Sequence, residues 1–393
     1  MNKKYLKYQI KQHLPLIIIS LVAFCSISMI VGLSFPWYRT FYKTADGTAY
    51  YPGTNNLAMI GFPSVVALLL ATFIPLSTYH YRLKASSADM YLQTPFKPKH
   101  FRYQRILFTL CLTLALTTFM YWFASGIYAL NCLRPLPTPS NENIMYEPAY
   151  INYGYVALGW LYLLAGVTGQ FFISSFAISL GRNVVYALIG LALFEFVFAV
   201  IPGNLYNFFT SFTPSKALTY DTALFSAAIN LGFTPIVPGY LIFALFYPRI
   251  IGYENAIGNL EFLITGQVLF FAGAIAAGVY SFLVPEPSGE HAGKLGFHPR
   301  WFVPAYHIAT AIGGLNTYGN PLGISGSFGV NIIAPFILSL VLWGLRYYLV
   351  LALVKGTFKF KKNDWIWFAS VMGFVVICSI VAFAISTTIG RAA

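Results

Sequence analysis

SSADMYLQTPFKPKHFRYQR, Ser86 to Arg105, runs directly into ILFTLCLTLALTTFMYWFASGIYAL, Ile106 to Leu130. The second stretch is an uninterrupted apolar run. An apolar segment of roughly 20 residues crosses the hydrocarbon core of a bilayer as a helix. The first stretch is basic and contains proline, and it reads as an aqueous loop holding one short helix. Lys and Arg collect in the cytoplasmic loops of membrane proteins. The pair therefore reads as a cytoplasmic loop feeding a membrane span. The rest of the chain repeats that pattern of long apolar runs and short polar connections.

Composition agrees. The chain has 393 residues, 58% hydrophobic and only 9% charged. That balance excludes an ordinary soluble domain and describes a polytopic membrane protein. The net charge of +13 could signal a nucleic-acid partner. It is better explained by basic cytoplasmic loops. The four cysteines, Cys25, Cys111, Cys132 and Cys378, form no CxxC and no Cys/His metal spacing. The basic, then apolar N-terminus resembles a signal peptide. Its apolar run is too long and no small-residue cleavage site follows, so an uncleaved first span is expected.

The expected fold is all-α, with about nine transmembrane helices. The spans read as Leu14–Leu33, Leu57–Tyr79, Ile106–Leu130, Tyr155–Leu180, Val184–Ile201, Glu261–Val284, Val303–Tyr318, Phe328–Val354 and Trp365–Ile389. Residues 1–13 carry Lys4, Lys7 and Lys11 on one helical face and Leu6 and Ile10 on another. That pattern suits a cytoplasmic helix lying at the membrane surface. Phe35–Asn56 and Asn131–Asn152 read as outside loops. His80–Arg105, Gly181–Asn183, 285–302 and 355–363 read as inside loops. Residues 14–284 then form a six-span core, and residues 285–393 add a three-span region.

Residues 202–258 break the pattern. Asp221–Tyr247 is apolar in patches but interrupted by Pro235 and Pro238, with Pro248 just beyond. Interior prolines make one straight span improbable. Re-entrant segments dipping in from the outside, between spans five and six, fit better. Charge supports this. Most of the 24 Lys and Arg residues fall in the inside segments of this topology. One additional crossing would turn the cluster Lys355, Lys359, Lys361 and Lys362 outward, against the bias.

No catalytic string is present. The chain lacks G-x-x-x-x-G-K-[ST] for phosphates, H-E-x-x-H for zinc and G-x-S-x-G for a serine nucleophile. Intramembrane acids are scarce, which argues against a proton- or sodium-coupled carrier. Glu195, inside LFEFVF of the fifth span, is the exception. It reads either as a polar group on a translocation path or as an interhelical hydrogen-bonding partner of Gln170 or Gln267. His291, His298 and His307 are isolated, and His307 reads as a helix-packing histidine.

Within the opening loop, Ser86-x-x-Asp89 resembles a capping box. Ala88, Tyr91 and Leu92 share a helical face, and Thr94-Pro95 stops the helix. A helix of two turns is not stable alone in water. Lys97, Lys99, Arg102 and Arg105 then lead into the third span, where cations sit at lipid headgroups, and the Tyr91/Leu92 face either docks on a partner or rests with the loop on lipid.

SADMYLQTPFKPKHF resembles the first cytoplasmic loop of permease subunits of type-2 ABC transporters, particularly the multi-span permeases of Gram-positive bacteria. Ser87, Asp89, Tyr91 and Pro95 match the pattern S-x-D-x-Y-x-S-L-P-x-x-R. Thr94 replaces the usual Leu, and Lys97 stands near the usual Arg. Glu290-His291-Ala292-Gly293-Lys294-Leu295-Gly296-Phe297 resembles the E-x-A-G-x-x-x-F stretch that follows the sixth span in that family. The arginines often preceding that Glu are absent here, and VPEPSG stands in their place.

The resemblance implies a permease subunit of an ABC exporter in the cytoplasmic membrane. It would move an amphiphilic substrate such as a peptide, an antibiotic or a lipid-like molecule. It implies that Ser87, Asp89, Met90, Tyr91, Leu92, Thr94, Pro95 and Lys97 form a coupling helix seated on a separate nucleotide-binding ATPase subunit. ATP and magnesium would then belong to that partner, and this chain would hold no cofactor and be no enzyme itself. A second permease copy or homologue would complete the path. The alternatives from the residues alone are a polytopic enzyme acting on a lipid and a non-transporting envelope-stress protein.

Overall fold

The computed structural model describes residues 3–34, 38–44, 47–51, 55–83, 98–136, 138, 144–148, 153–194, 260–283, 297, 301–314 and 333–392. Helix α1 is Lys3–Ser34, α2 is Asn55–Leu83 and α3 is Pro98–Asn131. Helix α4 is Tyr153–Leu180, α5 is Val184–Ala192 and α6 is Leu260–Leu283. Helix α7 is Phe302–Gly314, α8 is Ile333–Lys355 and α9 is Lys362–Ala392. Five of these, α1 to α4 and α9, are long and apolar enough to cross a membrane. The chain is a multi-pass, membrane-embedded protein built mainly of helices.

Helix α1 has 32 residues, which is about 48 Å at the α-helical rise. The basic segment and the first apolar run are one continuous helix, where the sequence suggests a surface helix followed by a span. Pro15 lies inside it. Membrane helices tolerate an interior proline because neighbouring groups satisfy the freed carbonyl. Helix α7 has 13 residues, about 20 Å, and is shorter than the hydrocarbon core.

The all-α expectation misses a small sheet. Strand β1 (Tyr38–Thr44) pairs antiparallel with β2 (Gly47–Tyr51) and with β3 (Ile144–Pro148), in the order β2-β1-β3. Thr40 is the partner of both Tyr51 and Tyr146. The segments YRTFYKT and GTAYY are rich in Tyr and Thr, which favour the pleated conformation. Exposed strand edges are excluded from hydrocarbon, so the sheet lies in the aqueous zone. It ties the connection after α1 to the connection after α3, and so places the C-terminal ends of those two helices side by side.

Contacts fix the helix directions. Helices α2 and α3 are antiparallel neighbours, bonded through Thr78 and Thr109 at 2.9 Å. Helices α3 and α4 are also antiparallel: Trp160 donates to Thr118 and the Tyr121 hydroxyl donates to the Val156 carbonyl. Helix α4 runs parallel to α6, since Gly169 faces Phe270, Phe176 meets Tyr280 and Phe172 meets Phe282. Helix α7 is antiparallel to α8 and parallel to α9: His307 meets Tyr347 and Trp367, and Gly314 meets Trp343 and Val375. The result is two cores. One joins α2, α3, α4 and α5 around Ile74, Ile106, Phe171 and Ala187. The other joins α5, α7, α8 and α9 around Tyr186, Phe302, Tyr347 and Val371.

Gly181-Arg182-Asn183 turns α4 into α5, where both cores meet. The Asn183 side chain accepts from the Tyr186 amide at 2.9 Å and caps α5. A Cβ on Gly181 would lie 2.4 Å from the Ala187 backbone nitrogen. Backbone cannot yield there as a side chain would. Gly181→Ala is expected to destabilise the protein by about 1–3 kcal/mol, the usual cost of overpacking, read as a lowered melting temperature in detergent. An unchanged melting temperature would contradict this packing.

Candidate functional site

The proposed coupling residues Ser87, Asp89, Met90, Tyr91, Leu92, Thr94, Pro95 and Lys97 lie outside the described residues, as do Glu195, residues 202–258 and Glu290 to Gly296. What is described is the frame on either side of residues 84–97. Helix α2 ends at Leu83 and α3 starts at Pro98. Proline at a first helical position loses no hydrogen bond, because that amide has no intrahelical partner. Of the predicted loop His80–Arg105, residues 80–83 and 98–105 are therefore helical, and 84–97 lie outside the described residues.

This frame corrects the reading of the basic residues. Arg102 and Arg105, expected at lipid headgroups, belong to α3 and are buried, at 4% and 2% exposure. The Arg102 Nη2 donates to the Phe282 carbonyl at 2.8 Å, and the Tyr103 hydroxyl donates to the same oxygen at 3.0 Å. Phe282 lies in the last turn of α6, whose carbonyls have no partner within the helix. That end also carries the negative pole of the helix dipole, which a guanidinium complements. The two aromatic rings reinforce the joint, with Tyr103 and Phe282 centroids 5.6 Å apart. Arg105 stacks over the Phe101 ring one turn earlier in its own helix, at 5.2 Å.

Behind this joint runs a polar seam that sequence reasoning passed over. Thr109, Thr113 and Thr117 are fully buried at successive turns of α3. Thr109 accepts from Thr78 and donates to the Arg105 carbonyl at 2.8 Å, and Thr113 donates to the Thr109 carbonyl. Small hydroxyl residues let membrane helices approach and bond across their interface. The i, i+4 spacing of threonines in an apolar run was the available signal. On α1, Gln9 and His13 are buried too, and the His13 ring lies 5.7 Å from Phe108.

Gln170, weighed above as a partner for Glu195, donates to Thr72 at 3.2 Å and to Ser174 at 3.1 Å. His307 is buried and its Nδ1 is hydrogen-bonded to the Tyr347 hydroxyl. Its ring stacks on Trp367 with 2° between planes. That is a packing role, matching the sequence reading. Among the described residues no group of three or more His, Cys, Asp or Glu could hold a metal ion.

Phe297, the last residue of the E-x-A-G-x-x-x-F stretch, is described and buried. Its backbone bridges to Gly181, and its ring packs 4.3 Å from Phe302 and 5.3 Å from Tyr186. The chain end of α4, the start of α3, the end of α6 and Phe297 therefore share one face of the bundle. Arg182 and the exposed lysines Lys359, Lys361 and Lys362 lie on that face as well.

The chain matches no protein-family model, no curated protein and no solved structure.

The joint has a measurable energy. A hydrogen bond to a charged group contributes about 1.5–3 kcal/mol and a neutral one about 1 kcal/mol. Tyr103→Phe is expected to cost about 1 kcal/mol and Arg102→Gln more. Because both donors share one oxygen, their combined effect should fall measurably away from the sum. Thermal unfolding of the single and double variants tests this, and strict additivity would argue against a shared acceptor.

Proposed function

We propose that this chain is the membrane-spanning permease subunit of a type-2 ABC exporter. It works as one of two permease copies or homologues, driven by a separate P-loop ATPase. The observation that carries the reading is the spacing of Ser87, Asp89, Tyr91 and Pro95 in a loop held between α2 and α3. The bundle geometry supports it. The loop's exit is the first turn of α3, and that turn is bonded to the last turn of α6. A push on residues 84–97 would reach α3 directly and α6 through Arg102 and Tyr103. The second resembling stretch ends at Phe297 on the same face, wedged between α5 and α7. The described flanks of both stretches thus border one surface, which supports a single partner acting on them.

The same arrangement supports nine spans with re-entrant segments at 202–258. Helices α4 and α6 run parallel, so the chain between them makes an odd number of crossings. One fifth span and a re-entrant region satisfy that count, while one added crossing violates it. The basic face is then cytoplasmic by the positive-inside rule. Residues 14–284 form the core, and residues 285–393 an accessory unit attached through Phe297, Phe302 and Tyr186. The exported molecule belongs to the amphiphiles: peptide, antibiotic or lipid-like. Glu195 contributes a polar group to the path.

Two outcomes are expected. Tyr91→Ala or Leu92→Asp should release or uncouple the ATPase subunit while the permease still inserts, read by co-purification and ATPase rate. Unchanged binding and activity would refute the coupling role. A cysteine placed at Lys359 should resist a membrane-impermeant thiol reagent added to intact cells, and ready labelling would reverse the topology.

A further inference from the structure

The turn between α8 and α9 is built more firmly than a connecting loop requires. Helix α8 ends in a Schellman motif. Gly356 has φ 69°, the Thr357 amide donates to the Ala352 carbonyl at 3.1 Å, and the Gly356 amide donates to Leu353 at 3.1 Å. Helix α9 starts with the return arm of a capping box, the Asp364 carboxylate accepting from the Lys361 amide at 2.8 Å. Asp364 also pairs with Lys355. It is the one acid between Lys355 and Trp365, so both its oxygens are engaged within the turn. Beneath, the Phe360 ring is held 4.8 Å from Tyr348 and 5.7 Å from Trp365.

This leaves three lysines, Lys359, Lys361 and Lys362, exposed on a fixed backbone. Beside them stand two large aromatics with half or more of their surface open, Phe358 at 66% exposure and Trp365, whose other side packs on Phe360, at 51%. Among the described residues no acid pairs with these three ammonium groups, and they call for anions. Aromatics at the same level call for the boundary between headgroup and acyl chain, where Trp is enriched. A soluble anion would satisfy the lysines and leave the rings in water. A phospholipid satisfies both.

We propose that the α8–α9 turn is a binding site for the headgroup of an anionic phospholipid. Lys359, Lys361 and Lys362 meet its phosphate and acidic headgroup, and Phe358 and Trp365 lie against the start of its acyl chains. Basic residues near a bilayer each strengthen attraction to anionic lipid, and at low salt that attraction is poorly screened. The inference requires only that the chain is membrane-embedded and is independent of the transport reading.

The test is native mass spectrometry of the full-length chain in detergent, titrated with phosphatidylglycerol or with phosphatidylcholine. The wild type should retain phosphatidylglycerol over phosphatidylcholine by roughly tenfold or more, as three lysines at a surface allow. Replacing Lys359, Lys361 and Lys362 together by Ala should bring the two lipids to near parity, and replacing all three by Arg should keep the preference. As a second readout on well-folded protein, brominated phosphatidylglycerol should quench wild-type tryptophan fluorescence more than Trp365→Phe fluorescence. Equal retention of both lipids by the wild type would overturn the proposal. So would a preference unchanged in the Ala variant, or equal quenching of wild type and Trp365→Phe. Inorganic phosphate that displaces phosphatidylglycerol at millimolar concentration would show a soluble-anion site and overturn it as well.

Discussion

The last turn of a helix leaves carbonyls with no partner inside the helix. Here the last turn of α6 resolves that constraint with side chains from α3: Arg102 and Tyr103 share the Phe282 oxygen. Much else follows from this contact. It pulls a guanidinium into the protein, where it is 4% exposed, and so starts α3 well before its apolar run. It sets α6 in register beside α3, and the parallel packing of α4 on α6 keeps all three in register. Arginine suits the task because its planar fork stays charged and can bond while the stem is buried.

The second organising feature is the segregation of the two ends. One end is tied together by the β2-β1-β3 sheet, which joins segments about a hundred residues apart in the chain. The other end carries the arginines of α3, Arg182 and the lysines of the α8–α9 turn. Helix α2 ends and α3 begins at that end.

The large features were legible in the sequence because hydrophobic length is a one-dimensional signal. Leu57–Tyr79 and Tyr155–Leu180 appear almost unchanged within α2 and α4, and the Gly181–Asn183 turn lies where Gly and Asn suggested. The sheet was not legible. YRTFYKT sits among Pro, Gly and polar residues that read as loop, and its β3 partner is too distant for any local pattern to reveal. The burial of Arg102 and Arg105 was also hidden. A basic residue before a span has the same sequence context whether it meets lipid or a helix end, and a backbone carbonyl such as that of Phe282 has no sequence signature. The threonine seam was visible as i, i+4 spacing but carried no weight beside the apolar run containing it. The residues assigned to coupling, from Ser87 to Lys97, and Glu195 rest on sequence alone, the former flanked by α2 and α3.

The central claim is that residues 84–97 are seated on an ATPase rather than on lipid. A photoreactive amino acid placed at Tyr91, activated in intact cells and followed by mass spectrometry of the adduct, distinguishes the two directly. The account predicts a covalent link to a peptide of a P-loop ATPase subunit, lost when Leu92 is also changed to Asp. Adducts to phospholipid alone, with no ATPase peptide, would contradict it.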